Sequence, residues 1–196
     1  MQKLNQLMWN EWTRIVPAGI SEVNAECAGI LESLYPRYNK NTVFLSSHRL
    51  WVFRRFSMIW PDTRWGIKHD LGALLKVPPS MHGKVMLDMK EDLYSDIMSS
   101  TTGLYDSKQV AWQWLRGLWG NNGSIYLPRS GYHLVFRIRT PQASKKAFAI
   151  LCNLGLNASE RMKSGYQEIL LRNQEDIVTL FSRFRLYESS LYIEQR

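Results

Sequence analysis

Two stretches of the chain read alike. Lys84-Val85-Met86-Leu87-Asp88-Met89-Lys90-Glu91-Asp92-Leu93 and Gln167-Glu168-Ile169-Leu170-Leu171-Arg172-Asn173-Gln174-Glu175-Asp176-Ile177 both run from an apolar strand through a polar break into an acidic helix start. The order around them also recurs. In the second half, helical spacing over Ser107–Gly120 is stopped by Asn121-Asn122-Gly123-Ser124. Ile125–Leu127, the turn Pro128-Arg129-Ser130-Gly131 and Tyr132–Arg139 then read as a β-hairpin. Pro141 opens a helix over Gln142–Leu154 that ends at Gly155. A strand at Tyr166–Arg172 and a helix at Gln174–Arg183 follow. The first half repeats this order with a shorter hairpin: a helix at Asn24–Leu34, a strand at Asn41–Ser46 after a turn that holds Arg37 and Lys40, a helix at His48–Trp60, a strand at Lys84–Met89 and a helix at Glu91–Met98. The order αββαβα thus occurs twice, an α+β chain. One copy leaves a sheet face uncovered, so two copies packed side by side complete the core. The expected divisions are an N-terminal helical segment (1–22), a first repeat (23–104) and a second (105–196), with Pro78-Pro79 a connection inside the first.

The composition supports folding throughout: 45% of the 196 residues are hydrophobic, including eight Trp, against 21% charged. The net charge of +8 suits a polyanionic partner or an anionic membrane surface. Residues 1–104 carry 12 basic and 10 acidic side chains and residues 105–196 carry 13 and 7, marking the second half as the stronger anion binder. No stretch approaches the roughly 20 apolar residues of a spanning helix, and the N-terminus lacks the pattern of a cleaved leader. A cytoplasmic protein with no membrane partner is expected. Cys27 and Cys152 lie far apart, and His48, His69, His82 and His133 show no ligand spacing with them, so both cysteines read as buried thiols and no metal site is expected.

Gly29 with Ser33, and Gly117 with Asn121, place small residues at i and i+4 on one face of each repeat's first helix, where two backbones can approach closely. The residues alone equally allow ordinary positions near a helix end. The segment Leu115-Arg116-Gly117-Leu118-Trp119-Gly120-Asn121-Asn122-Gly123-Ser124-Ile125 resembles the LAGLIDADG motif of homing endonucleases. With its Trp-Leu-Arg-Gly, Gly-Ser-Ile and Tyr-His-Leu continuation, it resembles still more the LAGLIDADG-like domain of WhiA-type bacterial regulators. Cys27-Ala28-Gly29-Ile30-Leu31-Glu32-Ser33-Leu34-Tyr35 is the first-half counterpart. The resemblance implies a monomeric pseudo-dimer: two motif helices packed together at a repeat interface formed by Gly29, Ser33, Gly117 and Asn121, and two saddle-shaped antiparallel sheets on a nucleic-acid duplex.

In active members of the family, the acidic residue before the motif's final glycine holds a divalent metal. Metal-assisted phosphodiester cleavage needs hard anionic oxygens for Mg²⁺. The corresponding positions are Leu34 and Asn122. Leucine cannot ligate, and an amide is a poor replacement for a carboxylate, so no metal, no cofactor and no nuclease activity are expected. A slip of two residues would bring Glu32 to the metal position but would take Gly29 out of the close-packing slot.

Alternation along Tyr132–Arg139 puts Leu134, Phe136 and Ile138 on one face and His133, Val135, Arg137 and Arg139 on the other. The second face is the candidate duplex-reading surface, since arginines make bidentate contacts to guanine edges or phosphates and a β-ribbon fits the major groove. Arg129 in the turn extends it. In the first half, Arg37 and Lys40 occupy the comparable turn, and Lys84, Met86 and Asp88 share a strand face. Solvated arginines on a half-exposed strand would give the same pattern. The expected function is binding of duplex DNA, or of structured RNA as in intron maturases, in a regulatory or maturase-like role. The alternatives are a Mg²⁺-dependent homing endonuclease drawing charge from Glu32, Asp88 or Glu168, and a protein-interaction module.

Overall fold

The computed structural model describes residues 2–78, 84–128 and 131–195. Two compact units make up the chain, one of residues 16–121, the other of residues 1–15 and 122–196. Helix α1 (Gln2–Arg14) belongs to the latter.

The unit 16–121 starts with α2 (Ile20–Ser33), a helix buried along most of its length that ends where Leu34 turns extended ahead of Tyr35-Pro36. A short strand β1 (Arg37–Asn39) folds back onto β2 (Thr42–Ser47), with Asn39 opposite Thr42 and Lys40 left-handed in the turn between them. Helix α3 (Leu50–Ile59) follows, then α4 (Leu71–Leu74), β3 (Leu75–Lys76) and β4 (Val85–Lys90). The antiparallel sheet has the order β1-β2-β4-β3. Val43, Leu45, Val85, Leu87 and Met89 form its buried face, and α5 (Glu91–Ser99) packs on β2 and β4. Helix α6 (Lys108–Asn122) completes the unit up to Asn121. All ten residues from Ala111 to Gly120 are buried.

In the other unit, β5 (Gly123–Tyr126) pairs with β6 (His133–Ile138), and β7 (Ala158–Lys163) with β8 (Tyr166–Leu171), giving a second four-stranded antiparallel sheet of order β5-β6-β8-β7. Ile125, Leu134, Phe136, Ile138, Ile169 and Leu171 bury one face, and α7 (Pro141–Asn153) packs against β6, β7 and β8. Gly155, with φ +86°, ends α7: its N–H donates to Cys152 O and that of Leu156 to Leu151 O, satisfying the last carbonyls. Helix α8 (Gln174–Arg183) is capped by the Asn173 side chain, which accepts from Glu175 N. Helix α9 (Tyr187–Glu194) packs on α8 and α1, and Glu11 of α1 caps it by accepting from the backbone N–H groups of Glu188 and Ser189.

The αββαβα order is present in both halves, with one more strand in each. β3 is only two residues long, and β7 is an exposed edge strand (Ala-Ser-Glu-Arg-Met-Lys) without apolar alternation; neither leaves the pattern by which a strand is read. Arg37 lies in strand β1, the helix read from His48 begins at Leu50, the strand read from Tyr132 begins at His133, and the chain carries a final helix, α9, beyond the one read last. Among the described residues, no helix is long and apolar enough to cross a membrane.

Candidate nucleic-acid interface

Within the unit 16–121, α2 and α6 meet through glycines. A Cβ at Gly29 would fall on the Trp114 carbonyl, and one at Gly117 on the Glu26 carbonyl and 2.8 Å from Ile30 N, so only glycine allows this approach. At the C-terminal ends of the two helices the Asn121 amide donates to Ser33 O (2.9 Å) and accepts from Ser47 Oγ (2.8 Å), while Trp51 Nε1 donates to Gly120 O (3.0 Å). Glu26 holds Arg55 of α3 at 2.8 and 2.7 Å and Arg116 of α6 at 2.5 Å; both arginines are sealed from solvent. Burial alone would raise the Glu26 pKa, but the Arg116 and Arg55 charges with their hydrogen bonds bring it down to about 2. Glu32 accepts from Trp114 Nε1 at 3.0 Å. Leu34, just past α2, is buried; Asn122 is the last residue of α6 and half-buried.

The face of the first sheet opposite its buried side carries Arg37, Asn39, Thr42, Phe44, Ser46, Met86, Asp88, Lys90 and Lys76 by register, with exposed Lys84 leading into β4. Its cations are one arginine and three lysines against one carboxylate, Asp88, and exposed Lys40 lies at the hairpin turn.

The corresponding face of the second sheet carries Ser124 and Tyr126, then His133, Val135 and Arg137 continued by exposed Arg139, then Tyr166, Glu168 and Leu170, then Ser159, Arg161 and Lys163. Three arginines and one lysine oppose one carboxylate. Glu168 stands in register between Arg137 and Arg161 and is only 2% exposed. Its Oε1 accepts from Arg137 Nε at 3.1 Å and its Oε2 from Arg161 Nε at 2.5 Å, while both arginine side chains stay nearly half exposed. The Arg137 guanidinium also lies over the Tyr126 ring, 5.3 Å from its centroid. Burial would raise the Glu168 pKa, yet the hydrogen bonds from Arg161 and Arg137 hold it below the usual carboxylate range.

The structure thus places Arg137 and Arg139 exposed and His133 half-buried on one face of β6, and Arg37, Lys40 and Lys84 exposed on or beside the first sheet. Val135 shares the face with Arg137 but is buried, as is Leu170 opposite it, so the floor of this face next to Glu168 is apolar. Arg129 lies outside the described residues. Cys152 is exposed, contrary to the expectation of a buried thiol, because it lies in the last turn of α7 away from the core stripe of Ala143, Ala147, Ile150 and Leu151. Sequence reasoning missed Arg161 and Lys163, whose strand was unread; the Lys163-Ser164-Gly165-Tyr166 turn, with Gly165 at φ +81°, is the signal that marks it. It also missed Lys76, Lys90 and the ion cluster around Glu26.

Residues 112–196 match the family model of the WhiA LAGLIDADG-like domain. The fold is similar to that of full-length DUF199/WhiA from Thermatoga maritima, with a TM-score of 0.73, 15% identity, and 96% of this chain and 63% of that one covered. The fold is LAGLIDADG-like. It is also similar to the isolated N-terminal LAGLIDADG domain of DUF199/WhiA (TM-score 0.68, 16% identity, 90% and 89% covered). A third similar structure is I-DmoI in complex with DNA and Mn (TM-score 0.59, 14% identity, 85% and 97% covered). No curated protein matches the sequence. The chain spans less than two thirds of full-length WhiA.

In LAGLIDADG-like terms, α2 and α6 are the motif helices. Leu34 and Asn122, the positions that the resemblance would give to metal, are a buried leucine and a neutral amide, and Glu32 is engaged by Trp114. This donor set does not fit a hard divalent cation. Among the described residues, no three His, Cys, Asp or Glu side chains cluster as ligands.

Proposed function

We propose that this chain is a cytoplasmic monomer that binds duplex DNA through the open faces of its two LAGLIDADG-like sheets and does not cleave it, in a regulatory or maturase-like role. The observation that carries this reading is the second sheet's open face, where Arg137, Arg139, Arg161 and Lys163 surround one buried carboxylate. Four cations on one pleated surface supply the charge that attracts duplex phosphates, and arginine adds bidentate contact to guanine O6 and N7. Arg37, Lys84, Lys76 and Lys90 on or beside the first sheet add phosphate contacts, and Lys40 at its hairpin turn extends that face. The DNA complex of I-DmoI supports the choice of duplex DNA. Leu34 and Asn122 at the metal positions support binding without cleavage.

The test is titration of the protein against a randomised DNA duplex library over a salt series, with Mg²⁺ or Mn²⁺ added in parallel. Binding that weakens steeply with salt, with the duplex intact, is the expected result. Site-dependent double-strand cleavage abolished by Glu32→Gln would establish an endonuclease instead. Tighter binding to structured RNA would redirect the reading to a maturase, and no affinity for any duplex at low salt would leave a protein-interaction module.

A further inference from the structure

Resting on that duplex-binding reading, we propose that Glu168 is a positioning residue: its buried carboxylate holds Arg137 and Arg161 as a paired reading head that selects DNA sequence. A carboxylate on a surface meant for a polyanion opposes binding by Coulomb's law, so its presence at the centre of the most arginine-rich face needs a reason. The geometry supplies one. Each carboxylate oxygen takes the Nε–H of a different arginine. Arginine carries donors on Nε and both Nη nitrogens, so tying Nε to Glu168 leaves the Nη donors for a ligand, and each side chain is nearly half exposed.

The carboxylate is itself fixed. It is buried on the floor of the face, one position along the sheet from the buried Val135–Leu170 pair, and stands in register with Arg137 on one side and Arg161 on the other. Tyr126 restrains Arg137 further by lying against its guanidinium plane. Loose arginines lose rotamer entropy when they bind, whereas these are already ordered. The Nη ends projecting from β6 and β7, the two strands that flank β8, match acceptor pairs such as guanine O6 and N7 on nearby base pairs.

Coulomb attraction alone and positioning predict opposite signs for Glu168→Gln. Removing the negative charge strengthens binding to every duplex if the face works by charge. If Glu168 positions the arginines, Glu168→Gln binds the wild type's selected sequence about tenfold more weakly, while affinity for unselected duplex stays within about threefold, so sequence preference collapses. The measurement is selection of wild-type targets from a randomised duplex library, then titration of both proteins against a selected and an unselected duplex. Glu168→Asp keeps the charge and both arginines but draws the carboxylate back by one methylene from the two Nε donors; it should show the same loss of preference with an unchanged salt slope, and it decides the question if Glu168→Gln does not fold. Wild-type protein that binds no duplex overturns the duplex reading. Wild-type protein that binds selectively, with a variant as selective as wild type, overturns the role of Glu168 alone.

Discussion

Each unit of this protein contains a buried glutamate gripping two arginines, and the two clusters differ in one respect. Around Glu26, Arg55 and Arg116 are sealed, with side chains 0% and 1% exposed; around Glu168, Arg137 and Arg161 are 45% and 47% exposed. The sealed cluster joins α2, α3 and α6, so its hydrogen bonds are spent within the fold. In the open cluster the carboxylate is hidden but the arginine ends face solvent. Burial of the guanidinium therefore separates an architectural ion cluster from one able to recognise a ligand. A second contrast runs between the open sheet faces. Each carries four cations and one carboxylate, but lysine dominates the first and arginine the second. Lysine is a mobile point charge and arginine a planar fork, so the two faces should contribute similarly to salt-dependent affinity and very differently to sequence preference.

The largest effect should come from breaking the sealed cluster. Glu26→Ala leaves two buried guanidinium groups without their carboxylate and should destabilise the unit 16–121 by about 3–5 kcal/mol in urea unfolding, against a smaller loss for Glu168→Gln, whose arginines can turn to water. The pH dependence sharpens the same contrast. Glu26 has a folded pKa of about 2 against an ordinary value of 4.5. Its contribution is present above pH 4.5 and lost as pH falls through about 2, a change of roughly 3 kcal/mol that acid unfolding monitored by Trp fluorescence would report. Adding a methyl at the helix crossing, Gly117→Ala, pushes into the Glu26 carbonyl and should cost about 1–3 kcal/mol without altering DNA preference in whatever protein remains folded. On the open face, Arg137→Ala leaves buried Glu168 with Arg161 alone and should lower the unfolding midpoint less than Glu26→Ala does, but it should weaken binding to a selected duplex by about 1–3 kcal/mol and relax the preference. The smallest change belongs to the lysine face: Lys84→Ala should weaken all duplexes alike and lower the salt slope by about one phosphate contact.

Much of this was legible along the chain. The repeat showed because its strands alternate and its helices begin with acids, as at Glu91-Asp92 and Glu175-Asp176, and the end of α7 at Gly155 showed because the left-handed turn there suits glycine. β7 did not show: an edge strand with little burial needs no apolar alternation, and it carries Arg161 and Lys163, half of the arginine-rich face. Arg55 also did not show. Beside exposed Arg54 in an aromatic helix it looks like part of a solvated edge, and only the arrival of Glu26 from α2 permits its burial.

The sequence by itself determined the α+β repeat, the pair of glycine-bearing helices and the basic balance. These are properties of single positions and local periods, which adjacent residues express without help. Only the tertiary structure decided that Glu26 serves the core while Glu168 faces an arginine pair at the surface. A carboxylate's role depends on which cations distant strands and helices bring within hydrogen-bonding reach, and on whether water still reaches them.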